Sequence, residues 1–399
     1  MKFNFDEYVD RHGTNSYEYD MSDELRAEYG MGKLPKDYIA LDVADMDFRC
    51  APCIKEAIQE ITDRNLYGYC CLHPTTAPKY YEAIINWNEE KYGWKIKPEE
   101  IFYVAGTLEA ITHVLKALTQ PGDGVLIAIP VYTPFYDTIR KAGRTVFKTH
   151  LVNEDGKYVI DWEDFEKKVS EPSVKAFLLC SPHNPVGRVW SKEELKKMHE
   201  ICKRHNVLII ADEIHNDMVR WGETFYPIAK VTGGKDVVVC TGANKSFNIA
   251  SLGASHIVVQ DPAFYEKVKA EVFEVYPTPF VISAVTAAYS QGREWQDEVR
   301  KYIDGNIDAA IDFFKEKMPK VKVRRPEGTY ILWVDFSAYG LSDDEIYDRI
   351  VNRAAVLIEQ GRAFDEDGGS AGFVRICTPT QRARLMEALE RIARQFEEV

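Results

Sequence analysis

The sequence predicts an α/β protein, a doubly wound and mostly parallel sheet with a smaller α+β domain at its C-terminal end. Three observations predict it. Five near-continuous apolar runs read as strands covered on both faces: VLIAIP (125–130), AFLLCS (176–181), VLIIAD (207–212), DVVVCTG (236–242) and SHIVVQ (255–260). Amphipathic stretches alternate with these runs, as helices packed on a sheet would. After about Ser283 the alternation stops.

Taken in order, residues 1–45 lack strong periodicity and read as an arm that packs on the small domain or on a partner subunit. Residues 46–283 carry the strand and helix alternation and read as the large domain. Within it, TLEAITHVLKALT places Leu108, Ile111, Leu115 and Leu118 on one helical face. Residues 284–399 open with a long helical region. The segments KVKVRR, TYILWVDF and FVRICT read as strands, and a final helix closes this smaller domain.

Composition excludes several classes of function. The 399 residues are 45% hydrophobic and 28% charged, the balance of a globular protein long enough for two domains. A formal net charge of −13 argues against a nucleic-acid partner, which needs a basic surface. No apolar stretch approaches membrane-spanning length, and MKFNFDEYVDRHG has no apolar signal region, so a cytoplasmic protein is expected. Of the eight cysteines, Cys180, Cys202, Cys240 and Cys377 lie in or beside apolar segments and read as small core residues. Cys50 and Cys53 form one CxxC without a second pair, which favours structural thiols over a metal site.

Chemistry is suggested where the strands end. Asn184 follows AFLLCSPHNP, Asp212 closes VLIIAD, and Lys245 follows DVVVCTGANK. Functional groups in open parallel sheets gather at the carboxyl ends of strands, so the three should converge. Together they suit a pyridine aldehyde: an amine to form a Schiff base, a carboxylate for the ring nitrogen and an amide for the ring hydroxyl. His215 follows Asp212 by three residues and reads equally as a contact to the ring oxygen or a structural histidine. Gly106 and Thr107 open a helix whose first N–H groups could cradle a phosphate. Glu109 in that first turn would repel a dianion unless it points away. Tyr132, in PVYTPF, could stack on the ring or fill a core corner. Arg375, in FVRICT, has the planar fork that grips a carboxylate.

SPHNPVG, ADEIH, KSFNIASLG, VADMDF, YGY at 67–69 and EGTY before WVDF resemble the fold-type I pyridoxal-phosphate enzymes. Within them the chain resembles the aminotransferase-like carbon–sulfur β-lyases, the cystathionine β-lyase and cystalysin group. The resemblance implies pyridoxal 5′-phosphate as cofactor, held covalently by Lys245, with Asp212 at the ring nitrogen, Asn184 at the 3′-oxygen and Tyr132 stacked on the ring. It implies backbone or hydroxyl contacts to the phosphate from Gly106, Thr107 and Leu108, and a contact from Tyr69 of the neighbouring subunit in a homodimer. It also implies that Arg375 binds the substrate's α-carboxylate.

The implied reaction is α,β-elimination from cystathionine- or cysteine-type amino acids, giving thiol, pyruvate and ammonia. The alternative is transamination between an α-amino acid and a 2-keto acid. A regulatory protein that borrows the fold would carry a DNA-binding segment, which the short acidic arm does not suit. Several positions depart from the family pattern: Gly242 and Asn244 before the lysine, Thr107, Leu108 and Glu109 in the cradle, Thr133 after the stacking tyrosine, and Cys377 after the arginine. Gly242 stands where a phosphate-contacting hydroxyl is usual. A Gly242→Ser change is therefore expected to tighten cofactor binding if the position faces the phosphate.

Overall fold

The computed structural model describes residues 1–28, 32–272 and 276–398. Eight strands form the central sheet: β1 (Ile101–Val104), β2 (Gly124–Ile129), β3 (Thr145–Glu154), β4 (Lys157–Ile160), β5 (Val174–Cys180), β6 (Leu208–Asp212), β7 (Val237–Gly242) and β8 (Ser255–Val258). Their spatial order is β1-β8-β7-β6-β5-β2-β3-β4. The five strands from β7 to β3 in that order pair in parallel. Alternate residues serve opposite faces, as the pleat requires. Val125, Ile127 and Ile129 pack with Ile111, Leu115 and Phe135 on one side. Leu126 and Ala128 pack with Leu195, Met198 and Ile201 on the other.

One strand departs from the expected direction. The run read at 255–260 forms β8, which is antiparallel to both β7 and β1. The reason is the connection. Residues 243–254 contain only a single 3₁₀ turn, Ala250–Leu252, and no crossover helix. A chain that returns directly must come back antiparallel. That short return is the segment that carries Lys245.

The smaller sheet is antiparallel, in the order Lys322–Val323, Ile331–Asp335, Phe373–Cys377, Glu359–Gln360. Helices Arg293–Lys317 and Arg382–Arg394 accompany it. The N-terminal segment is tied to this region. Ile39–Ala40 pairs in parallel with Val356–Leu357, and the Phe5 ring lies 6.0 Å from that of Trp295. Arg11 donates to Glu18 at 2.8 Å, Asp47 at 3.1 Å and Asp45 at 2.6 Å. The EGTY segment joins the domains: Glu327 accepts from Arg188 Nε at 2.8 Å and from the Val189 amide at 2.9 Å.

All eight cysteines are free thiols, and Cys180, Cys202, Cys240 and Cys377 are buried. Among the described residues, no helix is long and apolar enough to cross a membrane.

Candidate active site

The ends of β5, β6 and β7 bring the three strand-end residues to one crevice. Asp212 is in register with Cys180 on one side and Cys240 on the other. Asn184 follows four residues after Cys180. Lys245 follows three after Gly242, in the short return described above.

That return is fixed on both sides of the lysine. The Asn244 side chain closes its base: Oδ1 accepts from the Ala254 amide and Nδ2 donates to Ser255 Oγ, both at 2.9 Å. Ser246 Oγ donates to Asp217 at 2.8 Å, and Asp217 is itself paired with Lys91 at 2.7 Å. Lys245 Nζ donates to the Ala44 carbonyl at 2.6 Å and faces a cleft lined by residues 43–48 and by Arg11 and Tyr17 of the arm. Burial lowers its pKa, with the carboxylate of Asp45 as the largest opposing influence. A lysine held in this way gives up its proton more readily than a solvated one.

Burial pushes Asp212 up to about 7, although the Ile214 amide donates to it at 3.1 Å and Lys245 lies near. A carboxylate in this condition lacks a full cationic partner. His215 is pushed down to about 3 by burial, helped by the charges of Lys245 and Arg375, so its imidazole is neutral. Its Nδ1 is buried without a partner among the described residues, and its ring meets Tyr330 edge-on at 5.5 Å. Arg375 Nη1 approaches Asn184 Oδ1 at 3.4 Å, and Nη2 donates to the Asp42 carbonyl at 2.6 Å. Tyr132 is pushed up to about 12 by burial, and Arg375 and Asp212 lie near enough to influence it.

The helix Thr107–Leu118 starts beside this crevice. Its first turn has no side-chain cap, and an added Cβ at Gly106 would meet nothing within 4 Å. Open N–H groups at an uncapped start suit an anion. Glu109 in the first turn folds back: its carboxylate accepts from the Ala105 amide at 3.0 Å and lies 3.7 Å from His113. Thr107 Oγ1 lies 3.3 Å from Ser255 Oγ, the atom already held by Asn244. Thr107, Asn244 and Ser255 thus form one polar cluster at the start of this helix.

Gly242 requires a correction. It is pressed against β8, and a Cβ there would collide with the Ala254 carbonyl and lie 2.8 Å from Ser255 Cα. The glycine is needed for close strand packing, and a hydroxyl cannot be placed on it without moving the sheet. We therefore expect Gly242→Ser to lower stability by about 1–3 kcal/mol without tightening cofactor binding. Thermal unfolding and a cofactor titration of the variant check this.

Tyr69 is not brought to the cradle within one chain. It is 96% exposed, and its ring lies 5.7 Å from Tyr276. Ser255, Asp45, Tyr330 and Glu359 escaped the sequence reading. Ser255 acquires its place only from the antiparallel return. Glu359 acquires its place only from strand register, opposite Arg375.

The residues fit the expected cofactor. Asp212 is buried in want of a cation, His215 Nδ1 lacks a partner, and an uncapped helix start lies beside them.

Cystathionine beta-lyase PatB of Bacillus subtilis is 39% identical over 394 residues, covering 98% of both chains. Cystalysin from Treponema denticola, solved with pyridoxal 5′-phosphate, superposes with a TM-score of 0.91 at 29% identity over 100% of both chains. The pyridoxal-phosphate-bound C–S lyase of Staphylococcus hominis gives a TM-score of 0.90 at 30% identity over 99% of both. Residues 36–392 match the family model of aminotransferase class I and II, and the chain belongs to that family.

Proposed function

We propose that the protein is a pyridoxal 5′-phosphate-dependent carbon–sulfur β-lyase that converts cystathionine- and cysteine-type amino acids to thiol, pyruvate and ammonia. The observation that carries this reading is the 39% identity to a cystathionine β-lyase over 98% of both chains. When bound, the cofactor supplies an electrophilic carbon for the substrate amine and a cationic ring that draws electrons from the α-carbon.

The chain's own residues do the rest. Lys245 Nζ, with its pKa lowered, takes the α-proton. Asp212 would hold the ring nitrogen's proton, a charge that its buried carboxylate lacks. Asn184 would donate to the ring oxygen, and Tyr132 would lie against the ring. Neutral His215 adds a polar edge there. Gly106, Thr107 and Leu108 offer the helix start to the phosphate, with Asn244 and Ser255 beside them. Arg375 binds the α-carboxylate and so fixes the direction of the Cα–H bond.

The test is incubation of the purified protein with cystathionine, cysteine, and amino acid plus keto acid pairs. Thiol and pyruvate in equal amounts support elimination. A new amino acid formed without thiol release would replace it by transamination.

We further infer a homodimer with shared sites, a large domain over 46–283, a small domain over 284–399 and an arm over 1–45. Leu66, Tyr67, Tyr69 and Tyr276 form an exposed apolar surface that a second copy would cover. Tyr69 would then reach the partner's phosphate. Eight free thiols suit the reducing conditions of the cytoplasm. Mixing Tyr69→Phe subunits with Lys245→Ala subunits should restore activity, because each mixed dimer keeps one native site. No recovery after verified subunit exchange would count against the shared site.

A further inference from the structure

Glu359 and Arg375 stand opposite one another on neighbouring strands of the small sheet. Residues so placed project from the same face. They meet: Glu359 Oε2 lies 2.8 Å from Arg375 Nη2. The two ends of this ion pair are anchored unequally. Arg375 is 2% exposed and is also held by the Asp42 carbonyl, whereas Glu359 keeps 40% of its side-chain surface open. The guanidinium is held by further groups, whereas the Glu359 side chain stays partly open to solvent.

The fork of Arg375 is only partly used. Nη2 is shared by one Glu359 oxygen and a backbone carbonyl. Nη1 has a single long contact of 3.4 Å to Asn184. Nε is buried without a partner among the described residues. A bidentate carboxylate would satisfy the fork better than this arrangement does. It would also arrive beside an existing negative charge, and two carboxylates at one guanidinium repel each other.

We propose that Glu359 is the resident occupant of the substrate's carboxylate site, displaced from Arg375 when the substrate's α-carboxylate binds. This rests on the reading that Arg375 takes that carboxylate. Glu359 keeps a buried cation paired while the site is empty. It weakens the affinity for every amino acid substrate as a consequence. Glu359 is therefore a positioning residue that acts through Arg375 and touches no reacting atom.

The test uses the holoenzyme and two small probes, read by the change in cofactor absorbance. 2-Methylalanine carries a carboxylate and no α-proton. Isopropylamine has the same carbon skeleton without the carboxylate. Glu359→Gln should tighten 2-methylalanine binding about two- to fivefold, the size of one partly exposed ion pair, and leave isopropylamine unchanged. Glu359→Ala carries the same expectation should the Gln variant fail to accumulate. Equal or weaker binding of 2-methylalanine, or an equal gain for both probes, overturns the proposal. Arg375→Gln separates the two readings. If it weakens 2-methylalanine no more than isopropylamine, the carboxylate role of Arg375 fails, whatever Glu359 does.

Discussion

Lys245→Ala is expected to abolish turnover and to leave the purified protein without a covalently held chromophore. The lysine has two tasks in the proposed reaction, covalent attachment and proton removal. Loss of a positioned base alone costs roughly a hundred- to ten-thousandfold in rate. The local structure should survive. Asn244 and Ser246 fix the return on either side of position 245, through Ser255 and Asp217. The lost anchor is one hydrogen bond to the Ala44 carbonyl. Absorbance, single-turnover kinetics and borohydride trapping measure the effect. A trapped adduct on any other lysine would sink the assignment.

Asp212→Asn is expected to separate function from stability. Without the carboxylate, the ring nitrogen loses the group that keeps it charged, and activity should fall roughly a hundred- to a thousandfold. The cofactor-free protein should respond in the opposite direction. Burial raises this carboxyl from 3.8 to about 7, so the folded state binds its proton more tightly than the unfolded chain does. The charged form therefore destabilises the fold, with no effect below about pH 4 and a full effect above about pH 7. Asparagine removes the charge. At pH 8 the cofactor-free variant should be more stable by about 1–4 kcal/mol, and below pH 4 the two should converge. Thermal melts across pH, with and without cofactor, check both signs. A cofactor-free variant that is less stable at pH 8 would show that Asp212 is already paired.

The central sheet was legible because burial on both faces leaves a plain mark in the sequence. Runs such as VLIIAD have no polar alternation to mislead, and their ends marked Asn184, Asp212 and Lys245 directly. Strand direction left no such mark. The run containing Ser255 looks like its neighbours, and only the length and content of the connection turn it around. Thr107 was named from the sequence, but its neighbour Ser255, whose hydroxyl lies 3.3 Å from that of Thr107, was not. Glu359 escaped for a related reason. Its importance lies in the register of two strands separated by a loop, which no local pattern encodes. Glu109 was legible as an acid in the first turn, but its partner was not. Its bond to the Ala105 amide depends on where the chain turns into the helix.

The strand β8 has one further implication. On one side Ser255 belongs to the cradle cluster, and on the other His256 is buried against Tyr80, with Nε2 and the phenol oxygen 2.6 Å apart. The two side chains are adjacent in sequence and face opposite ways, so the strand acts as a ruler read from both edges. A slip of one residue would put either His256 in the place of Ser255 and Ile257 against the phenol, or Ala254 in the place of Ser255 and Ser255 against the phenol. Neither side could then be mended by a point substitution, because both errors would share one cause. The residues that hold the spacing of the 243–254 return are thus the keepers of two buried polar systems. Lengthening that return by a single residue should disrupt both at once.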